Sequence, residues 1–175
     1  MLPTAPSKDD GRAHVFSFVQ VRGSLPAFWT ESASLDGGPA VALSPDVVRK
    51  SLPAFSQHID ELARVYGGPI HALAFLHEGK GGVLSAEATL LQAFKALTAE
   101  ARHHSAAGIL TLDSLDITAK NLETLPRGIH AMLRPYMQQM QFSEVSGTVD
   151  DGSASLENEQ CGVFRVNCRE YVSFC

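Results

Sequence analysis

Cys168 stands directly after Val163-Phe164-Arg165-Val166-Asn167, which reads as a buried strand, and a thiol at the end of such a strand is well placed to be a nucleophile. The attack needs the thiolate, and an ordinary cysteine with a pKa near ~8.5 is mostly protonated at neutral pH. A following loop with convergent backbone N–H groups, closed by a helix N-terminus, lowers that pKa and cradles an oxyanion such as phosphate. A guanidinium that grips two phosphoryl oxygens at once completes such a site. The one arginine that follows Cys168 in the sequence is Arg169. Arg169 cannot stand in, because a side chain adjacent to the cysteine does not lie across the phosphate from it.

Other constellations carry less. Cys161, Cys168 and Cys175 recur every seven residues, whereas zinc sites use close pairs such as C-x2-4-C, so no metal site is expected. Gly79-Lys80-Gly81-Gly82 lacks the upstream glycine and the Ser/Thr of a phosphate-binding loop and reads as a solvated turn. His71, His77 and the pair His103-His104 show no ligand spacing and read as structural or surface residues. Asp113 and Asp116 are acid/base candidates, although a strand-end Asp more often caps the next helix.

The elements that would position Cys168 follow from patterning. Residues 1–12 read as a disordered lead-in. His14–Val21 alternates apolar and polar residues as a half-buried strand does, and residues 31–40 read as a loop. Ser51 is a plausible N-cap for a helix through Tyr66, stopped by Gly67, with Pro53 in its first turn. Pro69–Leu76 reads as a buried strand, Ser85 opens a second helix, and Ile109–Asp113 is another strand. A third helix is expected over 119–141, bent by Pro126 and Pro135. Residues 146–159 read as a Gly/Asp/Ser/Glu loop, with a hairpin from Phe142–Val145 as an option across it, and Cys161–Asn167 is the last strand. The alternation predicts an α/β fold, with a mixed, largely parallel sheet flanked by helices. In such sheets ligands bind beyond the carboxyl ends of the strands, where Cys168 lies.

Composition bounds the partners. The chain has 175 residues, 45% of them hydrophobic, and a formal net charge of −5. One core-forming domain, or part of one, is expected. The acidic balance argues against a nucleic-acid binder held by phosphate neutralisation and gives no support to a polybasic anchor. No apolar run approaches the ~20 residues of a membrane span, and the first residues lack a secretory h-region. The expectation is a cytoplasmic chain.

Two blocks resemble the Sac-domain phosphoinositide phosphatases, of the synaptojanin type. Val19-Gln20-Val21-Arg22-Gly23-Ser24-Leu25-Pro26-Ala27-Phe28-Trp29 resembles their VQxRGSxPxFW block, and Gly162-Val163-Phe164-Arg165-Val166-Asn167-Cys168 resembles the start of their GVFRxNCxDCxDRTN signature. Between them, Phe55-Ser56-Gln57-His58-Ile59 with Tyr66-Gly67 resembles the family's FxxHF…YG helix. The resemblance implies a cysteine-phosphatase-like catalytic subdomain over 13–175. It also implies hydrolysis of phosphate from the inositol ring through a cysteinyl-phosphate, with no cofactor and no metal. Cys168 would be the nucleophile, and Arg165 and Asn167 would brace the strand-to-loop junction. Arg22 belongs to the first block with its role open. The partner would be a phosphoinositide headgroup, met by peripheral contact with endomembranes; oligomeric state is left open.

Departures from the pattern are equally specific. Arg169-Glu170-Tyr171-Val172-Ser173-Phe174-Cys175 stands where the family signature continues x-Asp-Cys-x-Asp-Arg-Thr, so Phe174 takes the place of the phosphate-gripping arginine of the Cys-x5-Arg pattern, and the family's FDFH-like segment is Leu112-Asp113-Ser114-Leu115. Cys-Arg-Glu-Tyr can be encoded with GTGAGTAT, close to a 5′ splice-donor sequence. The expectation is therefore a partial subdomain that ends within its phosphate loop, truncated by translated intron and inactive. The alternative is a non-catalytic module that binds phosphoinositides or a protein.

Overall fold

The computed structural model describes residues 12–33, 39–76, 85–104, 110–115, 125–148 and 152–168. Nine strands and three helices run in the order β1 (Ala13–Ser17), β2 (Gln20–Gly23), β3 (Trp29–Ala33), β4 (Pro39–Leu43), α1 (Val47–Tyr66), β5 (Ile70–Phe75), α2 (Ala86–His104), β6 (Leu110–Ser114), α3 (Leu125–Met140), β7 (Ser143–Gly147), β8 (Ala154–Asn158) and β9 (Val163–Cys168). The fold is mixed α/β.

At its centre is a four-stranded parallel sheet of order β2-β9-β5-β6. The two inner strands, IHALAF and VFRVNC, are nearly all buried. Apolar residues on both alternating faces suit parallel strands covered on both sides. The expectation of a largely parallel arrangement holds for this sheet alone. The β1-β7-β8 and β3-β4 sheets are antiparallel, because β3–β4 and β7–β8 follow each other closely enough to pair as hairpins.

Three sequence expectations are corrected. The strand predicted over 14–21 divides between two sheets, β1 pairing with β7 and β2 with β9. The Gln160 side chain accommodates the break: its Oε1 accepts the Val19 N–H at 2.7 Å and its Nε2 donates to Val19 O at 2.9 Å. The ends of the loop predicted over 31–40 are instead half of the β3–β4 pairing, whose Trp29, Val41 and Leu43 pack against the core. Helix α1 starts at Val47 rather than at Ser51, after Asp46 in a left-handed conformation (φ 55°). Ser51 is buried within it, and its hydroxyl accepts the Phe28 N–H at 2.9 Å. Pro53 therefore lies beyond the first turn, on the exposed side.

Other signals are realised as read. Gly67 ends α1 in a left-handed conformation (φ 65°), and its N–H donates to Ala63 O, as a glycine C-cap does. Ser85 Oγ accepts the Ala88 N–H at the start of α2. The described part of the third helix begins at Leu125, so the predicted turns at 119–124 lie outside the described residues, as does the lead-in at 1–11.

Strand alternation divides the sheet into two faces. Ile70, Ala72 and Ala74 of β5 and Val163 of β9 share one face with Phe55, Ile59 and Leu62 of α1 and Leu90, Phe94 and Leu97 of α2. The Phe55 and Phe94 rings meet edge to face at 6.0 Å. On the other face His71 stacks on Tyr136 of α3 and meets Phe164 edge-on. Two helices thus cover one face and the third covers the other. No helix among the described residues is long and apolar enough to cross a membrane.

Candidate functional site

The site is built outward from β9. Flanked by β2 and β5, this strand carries Cys168 to the carboxyl end of the parallel sheet, opposite Phe75. Cys168 is half-buried. Alternation puts it with Phe164 and Val166 on the α3 face, whereas Val163, Arg165 and Asn167 point to the α1–α2 face. Arg165 and Cys168 therefore lie back to back across the strand.

Arg165 is 6% exposed. Its Nε donates to His58 Nε2 of α1 at 2.9 Å and its Nη2 donates to Ser24 O at 3.2 Å. Its Nη1 is buried with no hydrogen-bond partner among the described residues. Burial lowers its pKa to about 10. The same contact acts on His58, whose pKa is lowered first by burial and then by the Arg165 charge, against a smaller upward pull from Glu61. His58 is therefore neutral at physiological pH, with the lone pair on Nε2 that the Arg165 N–H requires.

Gly23 explains how the guanidinium fits. A Cβ there would lie 3.3 Å from Arg165 Nη2, so the missing side chain leaves room for the head group beside β2. Leu25, two residues on, is buried in the core, and Trp29 Nε1 donates to Leu25 O at 3.3 Å. The block from Val19 to Trp29 is thus folded against the end of β9 and the middle of α1.

Asn167 is fully buried. Its Nδ2 donates to Arg165 O at 2.8 Å and to Leu73 O at 3.3 Å, while Oδ1 has no hydrogen-bond partner among the described residues. Arg22 pairs with Val166, so it sits on the α3 face with Cys168, and its side chain is exposed. The predicted residues thus gather at one end of the sheet, with Arg22 and Cys168 on one face and Arg165 and Asn167 on the other.

A second polar group lies on the α3 face, lower in the sheet. His71 is fully buried; its Nδ1 is 2.6 Å from Thr111 Oγ1, and its Nε2 lies 3.3 Å from Asp113 Oδ2 without a hydrogen bond. Burial pushes the His71 pKa down to about 4, against the attraction of Asp113. Burial and the neighbouring Asp113 carboxylate, to which its hydroxyl is bonded, push the Tyr136 pKa up. The sequence assigned Asp113 no partner; Thr111 and Asp113, at i and i+2 on one strand, were the available signal that they share a face. Asp116, His77, the 79–82 turn and residues 169–175 lie outside the described residues, as does the side chain of His104. No group of three or more metal-ligating side chains occurs among the described residues.

Comparison with known proteins places these features in context. Residues 4–121 match the family model of the SacI homology domain. The chain is 29% identical to synaptojanin-1 of Rattus norvegicus over 154 residues, which are 88% of this chain and 9% of that protein. It is 31% identical to phosphatidylinositol-3-phosphatase SAC1 of Drosophila melanogaster over 86% of this chain and 23% of that protein. The phosphatidylinositol-3-phosphatase SAC1 of Saccharomyces cerevisiae matches at 36% identity over 63 residues, 36% of this chain and 10% of that protein. The chain therefore spans less than a quarter of each of these relatives.

Proposed function

The chain belongs to the SacI homology domain family, and on that premise we propose that it receives a phosphorylated inositol headgroup, with Cys168 as the attacking thiol. The observation that carries this reading is the position of Cys168, half-buried at the carboxyl end of an inner strand of a parallel sheet. α/β folds bind their ligands there. The names of the SAC1 relatives, phosphatidylinositol-3-phosphatases, supply the substrate class.

In the proposed reaction the Cys168 thiolate attacks the phosphorus of a ring phosphate. The bond from phosphorus to the ring oxygen breaks, and that oxygen leaves with a proton taken from water. A second water then attacks the cysteinyl-phosphate, the sulfur–phosphorus bond breaks and inorganic phosphate departs; the proton this water releases neutralises the hydroxide left by the first, and the thiolate is restored. Arg22, on the same face, contributes positive charge toward the headgroup. Arg165 and Asn167 act as positioning residues, holding the end of β9 and the turn at Ser24 from the opposite face.

Phe174, at the sixth position after Cys168, offers phosphate no donor, so turnover by this chain should be slow. Loss of a transition-state donor typically costs ~100-fold or more in rate. Phe174 also favours a second reading, a module that holds headgroups without hydrolysing them. Phosphate release from short-chain phosphatidylinositol 3- and 4-phosphates tests both. Trace release that Cys168→Ser abolishes and Phe174→Arg raises supports the hydrolase. Release indifferent to Cys168→Ser overturns it, and headgroup binding with no release from either the parent chain or Phe174→Arg selects the binding module.

A further inference from the structure

Helix α3, LPRGIHAMLRPYMQQM, contains no carboxylate, whereas α1 carries Asp60 and Glu61 and α2 carries Glu87 and Glu100. The contrast is pronounced in a chain of net charge −5. Its inner side is occupied by Tyr136, stacked on His71, and by the buried Met140. Arg127, His130 and Arg134, at i, i+3 and i+7, are all exposed and so line one outward stripe. No ion pair engages Arg127 or Arg134 among the described residues. Met137, 41% exposed, follows on the same side.

The direction of α3 brings one end of this stripe to the level of the site. The Cys161 N–H donates to Met140 O at 2.8 Å, so the helix ends beside the start of β9. Tyr136 then lies at the level of His71 and Phe164, and the helix runs antiparallel to the strands. From Met140 back to Arg127 it climbs about 20 Å; from Cys161 to Cys168 the chain climbs about 23 Å. Arg127 therefore stands near the height of Cys168, on the sheet face to which that thiol belongs.

We propose that the outer face of α3, through Arg127, His130 and Arg134, is the surface that docks on an anionic lipid bilayer and presents the Cys168 end of the sheet to it. The proposal rests on the headgroup reading above for its biological meaning, but its charge argument is separate. Opposite charge selects an anionic surface, and a cation held near such a surface contributes roughly fivefold in affinity, the equivalent of ~1 kcal/mol.

Co-sedimentation of the 175-residue chain with phosphatidylcholine vesicles, with and without phosphatidylserine, tests it. Binding should require phosphatidylserine, weaken with salt, and fall about thirtyfold in Arg127→Gln/Arg134→Gln. Arg49→Gln/Arg64→Gln removes the same charge from exposed positions on α1, across the sheet, and should bind as the parent does. The proposal is overturned if the α3 pair binds unchanged, if the α1 pair loses as much, if no vesicle is bound, or if polyglutamate competes as well as the vesicles. Replacing phosphatidylserine by phosphatidylinositol 4-phosphate at equal charge separates the two readings. No gain in binding counts against the headgroup site alone, and loss of phosphatidylserine binding counts against the α3 surface.

Discussion

Arg165 of β9 and His58 of α1 are joined by a 2.9 Å hydrogen bond in which the guanidinium donates and the imidazole accepts. This fixes the charge of both partners: the histidine must be neutral at Nε2 for a buried cation to bond to it. The pair ties an inner strand of the parallel sheet to the helix that covers it, and through Ser24 O it also ties in the turn after β2.

Removing the acceptor should therefore be costly. His58→Ala leaves a buried charged donor unpaired and is expected to destabilise the chain by about 1–3 kcal/mol. His58→Gln, whose side-chain oxygen can take the place of Nε2, should recover part of that loss. Urea-denaturation midpoints of the two variants check this, and equal losses would contradict it.

Stability should fall in acid, and the sign follows from His71. Its pKa is about 4 folded and ~6.5 unfolded, so between those values the unfolded state binds more protons and stability rises with pH. The contribution is complete above pH ~6.5 and is lost as pH falls toward about 4, amounting to roughly 3 kcal/mol. His58, also lowered by burial first, adds in the same direction. Denaturation midpoints at pH 7, 5.5 and 4.5 should decline less steeply in His71→Gln than in the parent chain.

Two glycines should differ in their tolerance of alanine. At Gly162, φ is 104° and a Cβ would lie 2.4 Å from Pro69 O. Gly162→Ala therefore combines backbone strain with a collision against fixed main chain and should cost about 3 kcal/mol or more. At Gly23 the nearest atom is the Arg165 Nη2 at 3.3 Å, the end of a long side chain, so Gly23→Ala should cost nearer ~1 kcal/mol. Thermal melts rank the two, and the reverse order would contradict the packing described around Arg165.

In the α1–α2 core, Phe55 is 1% exposed and packs edge to face on Phe94. Phe55→Ala should cost about 3–5 kcal/mol, while Val65→Ala, at a 57% exposed position of the same helix, should stay within ~0.5 kcal/mol. Chemical denaturation of both variants checks the assignment of faces.

The parts of this fold legible in the sequence are those whose local pattern and tertiary burial agree. Ile70–Phe75 and Val163–Cys168 are rich in apolar residues on both alternating faces because both faces are covered, and Ser85 caps α2 as its type predicts. Cys168 could be placed at a strand end for the same reason. Ser51 misled because its hydroxyl serves the Phe28 N–H of a distant segment rather than its own helix. The β3–β4 hairpin was hidden by a Ser-, Gly- and Asp-rich composition, its apolar contribution resting on Trp29, Val41 and Leu43 alone. The meeting of Arg165 with His58, 107 positions apart, and of His71 with Tyr136 leaves no trace in periodicity, since each depends on which strands become neighbours.

The order of the parallel sheet bears on synthesis. β9 pairs with β2 and β5, both of which leave the ribosome long before it, so a nascent chain holds two unfilled edges until the strand between them arrives. Pairings between such remote segments close slowly, and open edges attract other chains meanwhile. Chaperone attendance during translation should therefore matter most in the interval between the emergence of Phe75 and that of Val163.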